Sequence, residues 1–191
     1  MAGTSLFEFL KIEMPNVWDE KIFAHYFQQK ILEKDDHFVK EGEICKGVAF
    51  IEKGLVMYYN ISESGQEVVC DFAKENQWFT QYESFIRQSP SHLSIKAIEP
   101  TEIQFLSFHA AQQINVEIPG FELFTRKIIE EVFFASLTRS KELQVLRAEQ
   151  RYARFAKENP GLIQRVPQYY IASFLGIAPQ SLSRIRKNNA G

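Results

Sequence analysis

The sequence predicts an α+β chain in three parts: a β-rich N-terminal body of jelly-roll type, a long helix, and a small C-terminal helical pair. Three observations predict it. Between Lys34 and Ser107, short runs rich in Val, Ile, Phe and Tyr are cut by glycine-bearing polar turns, the spacing of a sandwich or jelly roll. From Phe121, apolar residues recur at intervals of three and four over about forty residues. Residues 166–187 then divide at Gly176 into two short amphipathic segments. The boundaries expected from this reading are 1–118, 119–147 and 148–191.

In chain order, Ser5 to Leu32 reads as helix. Leu6, Phe9 and Leu10, then Trp18, Ile22, Phe23, Tyr26 and Phe27, keep helical spacing, and Pro15 breaks the segment in two. The strand region follows as HFVKEGEIC, VAFIEKGLVMYYNI, GQEVVCDF, HLSIKAI and EIQFLSF. Gly42, Gly54 and Gly65 fall where tight turns call for positive φ.

Pro119-Gly120 opens the long helix and Asn159-Pro160-Gly161 closes it, with a bend expected near Ala148. Phe121, Phe124, Ile128, Val132 and Ala135 form one stripe, widened by Ile129, Phe133, Phe134 and Leu137. A helix apolar around so much of its circumference is buried on more than one side. The sides expected are the β-rich body and the same helix of a second subunit, which makes this a dimerisation helix. Packing within one monomer is the alternative.

Beyond it, Pro167 opens a first short helix carrying Ile171, Ala172 and Leu175, and Gly176 stops it. A second helix starts at Pro179. Leu182 and Ile185 share one of its faces; Gln180, Ser181, Arg184 and Lys187 share the other. Two helices joined by a glycine turn match the helix-turn-helix motif, whose second helix enters the major groove of double-stranded DNA. Arg151, Arg154, Arg165, Arg186 and Lys187 are then the candidates for holding phosphates. Tyr169 and Tyr170 are further hydroxyl donors, one of them expected in the core.

Charge agrees with this division. Residues 147–191 carry a net +6 and the preceding 146 residues a net −8. A basic module on an acidic body confines phosphate contacts to one end. At 45% hydrophobic and with seventeen Phe, the 191 residues can fill a core. No run of eighteen apolar residues could span a membrane, and the N-terminal stretch lacks the basic and apolar regions of a signal peptide, so a cytoplasmic location is expected. Cys45 and Cys70 stand far apart with no metal-ligand spacing, and His25, His37, His92 and His109 are isolated, so no metal is expected. Neither a GxSxG, HExxH, Walker nor GxGxxG pattern occurs, and the chain is not expected to be an enzyme.

The C-terminal residues Ile171-Ala172, Leu175-Gly176-Ile177, Pro179-Gln180-Ser181-Leu182-Ser183-Arg184 and Ile185-Arg186-Lys187 resemble the end of the Crp/Fnr family of bacterial transcription regulators. Phe38 to Glu43, Phe50 to Tyr59 and Ser62 to Asp71 resemble strands and turns of that family's β-roll sensor, a domain of the cyclic-nucleotide-binding type. The resemblance implies a homodimer bound to a palindromic operator, with RNA polymerase as a further partner. It also implies that base reading falls on Gln180, Ser181 and Arg184, Gln180 standing where many members have Glu.

Members that bind a cyclic nucleotide use a Gly-Glu pair and an Arg-Ser or Arg-Thr pair. Here Glu83 takes the Glu position, but Tyr82 replaces the glycine, and Ser91 or His92 falls where Arg is implied. A cyclic nucleotide, cAMP included, is therefore not expected, and no cofactor is identified. Trp78, Tyr82 and Glu83 remain the candidate lining for some other small-molecule effector. The chain ends soon after Lys187, so the helix-turn-helix domain is expected to lack a full wing. Two other functions fit the same elements: a ligand-binding β-roll protein that does not read DNA, and an effector-independent DNA binder.

Overall fold

The computed structural model describes residues 5–189. Contacts gather these into two compact units, one of residues up to Asn60 with Asp71–Ile129, the other of Ile61–Cys70 with the residues from Glu130 onward. The first unit opens with α1 (Leu6–Glu13) and α2 (Glu20–Tyr26). Ser5 starts α1 through a reciprocal cap: its hydroxyl accepts from the Glu8 N–H while the Glu8 carboxylate accepts from the Ser5 N–H. Asp19 starts α2 by accepting from the N–H groups of Lys21 and Ile22.

The helix expected to continue to Leu32 does not. Residues Phe27–Leu32 form strand β1, paired antiparallel with β8 (Thr101–Ser107) in the register Phe27↔Leu106 through Leu32↔Thr101. Helical spacing of apolar residues runs out after Phe27, although the Gln, Lys and Leu of the following Gln-Gln-Lys-Ile-Leu are good helix formers. Cross-strand bonding to β8 therefore outweighs local propensity.

The remaining strands are β2 (His37–Val39), β3 (Gly47–Lys53), β4 (Leu55–Ile61), β5 (Glu67–Lys74), β6 (Trp78–Phe79) and β7 (Ser94–Ala97). They build two four-stranded sheets ordered β1-β8-β3-β6 and β2-β7-β4-β5. Val39, Cys45, Ala49, Ile51, Val56, Ala73, Phe79, Phe85, Ile95 and Ile103 form one buried cluster between them. Alternation along β3 sends Ala49 and Ile51 into this cluster and Phe50 to the opposite face.

On that opposite face Phe50, Phe27 and Leu106 meet α1, α2, α4 (Phe108–Glu117) and the start of α5 (Phe121–Val145). The abundance of Phe is explained here: Phe9, Phe23, Phe27, Phe50, Phe121 and Phe124 build this layer with Trp18 and Trp78. Each full burial is worth about 1.5–3 kcal/mol. Helix α4 has no forecast in the sequence. Ser107 ends β8 and caps α4 at once, accepting from the Ala110 N–H at 3.1 Å.

The second unit contains the tip of the β4–β5 hairpin, the C-terminal half of α5, α6 (Ala148–Glu158), α7 (Pro160–Arg165), α8 (Gln168–Phe174) and α9 (Pro179–Asn189). The expected bend near Ala148 is a break, with Arg147 in an extended conformation between α5 and α6. Asn159-Pro160-Gly161 ends α6 at Glu158, as expected, and Pro160 is also the first residue of a further helix, α7, where its missing N–H costs nothing. Pro167 sits one position before α8 as its N-cap. Tyr152, Phe155, Leu162, Val166, Tyr170, Ile171, Leu175, Leu182 and Ile185 are buried. No helix among the described residues is long and apolar enough to cross a membrane. Of the tail on which the missing wing rests, residues 190 and 191 lie outside the described residues.

Gly42, Gly54 and Gly65 all adopt positive φ, as expected. Gly54 is the most constrained: at φ +111° it turns β3 into β4, and a Cβ there would lie 2.5 Å from Thr101 Oγ1 and 2.6 Å from Thr101 Cα. Gly54→Ala is expected to lower the unfolding free energy by roughly 1–3 kcal/mol through backbone strain, with the clash against Thr101 adding to it. Urea denaturation measures the loss; an unchanged midpoint would contradict this geometry.

Candidate nucleic-acid interface

α8 ends in a Schellman turn. Gly176, at φ +64°, donates to Ser173 O at 3.0 Å, and Ile177 donates to Ala172 O at 3.0 Å. After Ala178 the chain re-enters helix at Pro179. On α9, Leu182 and Ile185 are 0% and 4% exposed, whereas Gln180, Arg184 and Lys187 are exposed and Ser181 is half-buried. The three base-reading candidates therefore share the face turned away from the unit's core, with Lys187 one turn beyond Arg184.

The five phosphate candidates are placed differently from one another. Lys187 is exposed, and Arg165 and Arg186 are half-buried. Arg151 donates from Nε to Leu175 O at 2.9 Å and from Nη1 to Leu146 O at 2.7 Å. Arg154 pairs with Glu142 at 2.6 Å and Glu158 at 2.8 Å, and both carboxylates hold its pKa above the usual value. Arg139 of α5, which no pattern in the sequence singles out, donates to Phe174 O at 3.1 Å and lies 3.7 Å over the Phe174 ring. Arg139, Arg151, Arg154, Phe155 and Phe174 line a cavity of about 330 Å³ in this unit.

Of the tyrosine pair, Tyr169 is exposed and Tyr170 buried. Tyr170 donates to the Glu67 carboxylate at 2.6 Å, and Ser173 Oγ accepts from the Val69 N–H at 2.9 Å, so the hairpin tip is bonded to α8 twice.

The dimer-stripe residues divide along α5. Phe121 and Phe124 are buried in the aromatic layer and Ile128 packs against it. Val132 and Ala135 are exposed, and Val132, Phe133, Phe134 and Leu137 leave 51% to 63% of their surface uncovered.

The three effector-pocket candidates are not brought together. Trp78 packs among Phe27, Phe50 and Phe124, its indole N–H buried without an acceptor. Tyr82 and Glu83 open α3 (Tyr82–Arg87) and are exposed. Glu83 lies 3.5 Å from Arg87 Nε and 3.7 Å from His92 Nδ1. Around α3 the polar groups satisfy one another. Gln81 caps the helix by accepting from the Ser84 N–H, and its amide meets His92 at 3.1 Å. Ser84 Oγ accepts from Cys45 N–H at 2.9 Å and donates to Ser89 O at 2.6 Å. No group of three or more His, Cys, Asp or Glu side chains among the described residues could hold a metal ion.

Parts of this geometry recur in known proteins. Residues 29–114 match the cyclic nucleotide-binding domain family. No curated protein matches the chain. Among solved structures, CooA from Carboxydothermus hydrogenoformans, as a double mutant, superposes with a TM-score of 0.71 at 21% identity, over 97% of this chain and 84% of that one. The c-di-GMP-responsive global regulator CLP of Xanthomonas campestris gives 0.70 at 13% identity, over 89% of each chain. A Eubacterium rectale protein assigned to the Crp/Fnr family of transcriptional regulators gives 0.72 at 13% identity, over 96% and 87%. At these identities the likeness is one of fold.

Around Glu83, Tyr82 carries an exposed side chain where the resemblance implies glycine, Arg87 and His92 are the neighbouring cationic groups, and Gln81 occupies the Ser84 N–H.

Burial, then hydrogen bonding to Glu67 and Tyr169, holds the Tyr170 phenol well above its ordinary pKa of 10.0. A raised folded-state pKa gives a contribution that is full below about pH 10 and lost as pH rises above it. Tyr170→Phe should therefore show a shallower fall of stability between about pH 9.5 and 11 than the parent protein in urea denaturation. Equal slopes would contradict a protonated, bonded phenol.

Proposed function

We propose that this chain is a DNA-binding transcription regulator of the Crp/Fnr type that binds a palindromic operator as a homodimer. The observation that carries the reading is α9: Gln180, Arg184 and Lys187 on an open face, Leu182 and Ile185 buried behind them, and a Schellman turn fixing the entry from α8. An arginine can pair bidentately with guanine and a glutamine with adenine, each worth ~1–3 kcal/mol of discrimination. Arg165, Arg186 and Lys187 supply phosphate contacts.

One α9 reads too few base pairs for useful specificity, and a two-fold dimer places two of them about one helical turn apart, ~34 Å. The uncovered Val132, Phe133, Phe134 and Leu137 on α5 supply the apolar seam such a dimer needs. RNA polymerase is the further partner of this reading. A second reading, that DNA is bound without any effector, is favoured by the filled interior of the roll, where Val39, Ile51, Phe79, Phe85 and Ile95 occupy the space between the sheets.

Selection of bound sequences from a random double-stranded pool tests the function. Enrichment of a palindrome with half-sites one turn apart is expected, and the same enrichment with added cAMP. No enrichment, with or without cell extract, would leave a roll that does not read DNA. On the selected duplex, Arg184→Ala should cost ~1–3 kcal/mol and relax preference at one position of each half-site. Leu137→Asp should convert the dimer to monomer in sedimentation analysis; a dimer unaffected by the charge would place the seam elsewhere.

A further inference from the structure

The last four carbonyls of α8, those of Ala172, Ser173, Phe174 and Leu175, point beyond the helix and have no intrahelical N–H to accept. Two are satisfied by the turn, Ala172 O by Ile177 and Ser173 O by Gly176. The other two are taken by arginines from different helices: Phe174 O by Arg139 of α5 at 3.1 Å, and Leu175 O by Arg151 of α6 at 2.9 Å. Arg151 also reaches Leu146 O, the carbonyl that follows α5, at 2.7 Å. Arg139 Cζ lies over the Phe174 ring, 3.7 Å from its centroid, and that ring packs on Phe155 of α6 with centroids 5.3 Å apart.

We propose that Arg139 and Arg151 are positioning residues that clamp the end of α8 to α5 and α6 and so set the direction of α9, and that Arg151 is not a phosphate contact. Only Gly176, Ile177 and Ala178 separate the clamped carbonyls from α9, and the Schellman bonds make that connection stiff. A shift of the α8 end is therefore passed to Gln180, Ser181 and Arg184 with little loss. Two cations at a helix C-terminus also complement its dipole. The guanidiniums suit this task better than ammonium groups would, because a planar fork can bridge two carbonyls and stack on an aromatic ring together. Arg154, paired with Glu142 on α5 and with Glu158, holds α6 against α5 and so backs the clamp.

The inference rests on the DNA-reading function, and salt dependence separates the two. Each lost phosphate contact lowers the slope of log affinity against log salt by about 0.9. Fluorescence anisotropy with the selected duplex and a scrambled duplex, at several salt concentrations, gives slope and preference together. Lys187→Ala, a phosphate variant, is expected to lower the slope by about one unit and weaken both duplexes alike. Arg139→Ala and Arg151→Ala are expected to weaken the selected duplex at least tenfold, reduce its preference over the scrambled one, and leave the slope at the parent value.

Titration to saturation counts the active fraction, so protein lost to misfolding is removed from the affinity. Arg139→Lys and Arg151→Lys, which keep the charge and an ammonium donor group but neither fork nor stack, are expected to fall between alanine and parent and serve if an alanine variant does not fold. A slope lowered by about one with preference intact in the Arg151 variants would overturn the proposal. So would parent affinity and preference in the active fraction of the Arg139 variants. A parent chain that binds no duplex would overturn the DNA reading itself and the clamp with it.

Discussion

The need to cover both faces of the β1-β8-β3-β6 sheet organises the first unit. Strand alternation puts Ala49, Ile51 and Ile103 on its inner side and Phe27, Phe50 and Leu106 on its outer side. The inner side is met by the second sheet. The outer side, left to water, would expose several large apolar groups, and α1, α2, α4 and the start of α5 close over it. That requirement explains why two helices precede the roll and two follow it. It also accounts for β1: as a strand, Phe27–Leu32 sends Phe27 to the outer layer and brings Leu32 against the inner cluster.

A parallel constraint acts in the second unit, where short helices multiply unpaired ends. Five helical segments within about sixty residues leave many carbonyls without helical partners. At the end of α8 the chain meets this need with arginine as well as with the turn. Basic residues that look from sequence like a footprint for DNA are thereby of two kinds. Arg151 is half-buried and bonded to carbonyls, and Arg154, though exposed, is paired with two carboxylates, while Arg184 and Lys187 are exposed on α9. Net charge in a module thus overstates the charge offered to a polyanion.

Around α3 the polar groups of the first unit turn to one another. Gln81 accepts from the Ser84 N–H, and Ser84 Oγ accepts from the Cys45 N–H and donates to Ser89 O. Trp78, counted with this region by sequence proximity, belongs instead to the aromatic layer beneath α5.

Much of the organisation is legible from local patterns. Period and punctuation alone placed the strand region, the break near Ala148, the positive-φ glycines at 42, 54 and 65, and the turn at Gly176 with Leu182 and Ile185 inside. These features depend on a residue's own backbone preference or on neighbours within one helical turn. Three things depended on partners far away in sequence and only the tertiary structure decided them. Phe27–Leu32 became a strand because β8, about seventy residues on, offered an edge. The candidates Trp78, Tyr82 and Glu83, adjacent in sequence, were separated because a strand and a helix face different ways. Arg151 turned inward because the carbonyl of Leu175 needed a donor; an arginine's charge is visible in sequence, but the group its fork will meet is fixed only when the helix ends are brought together.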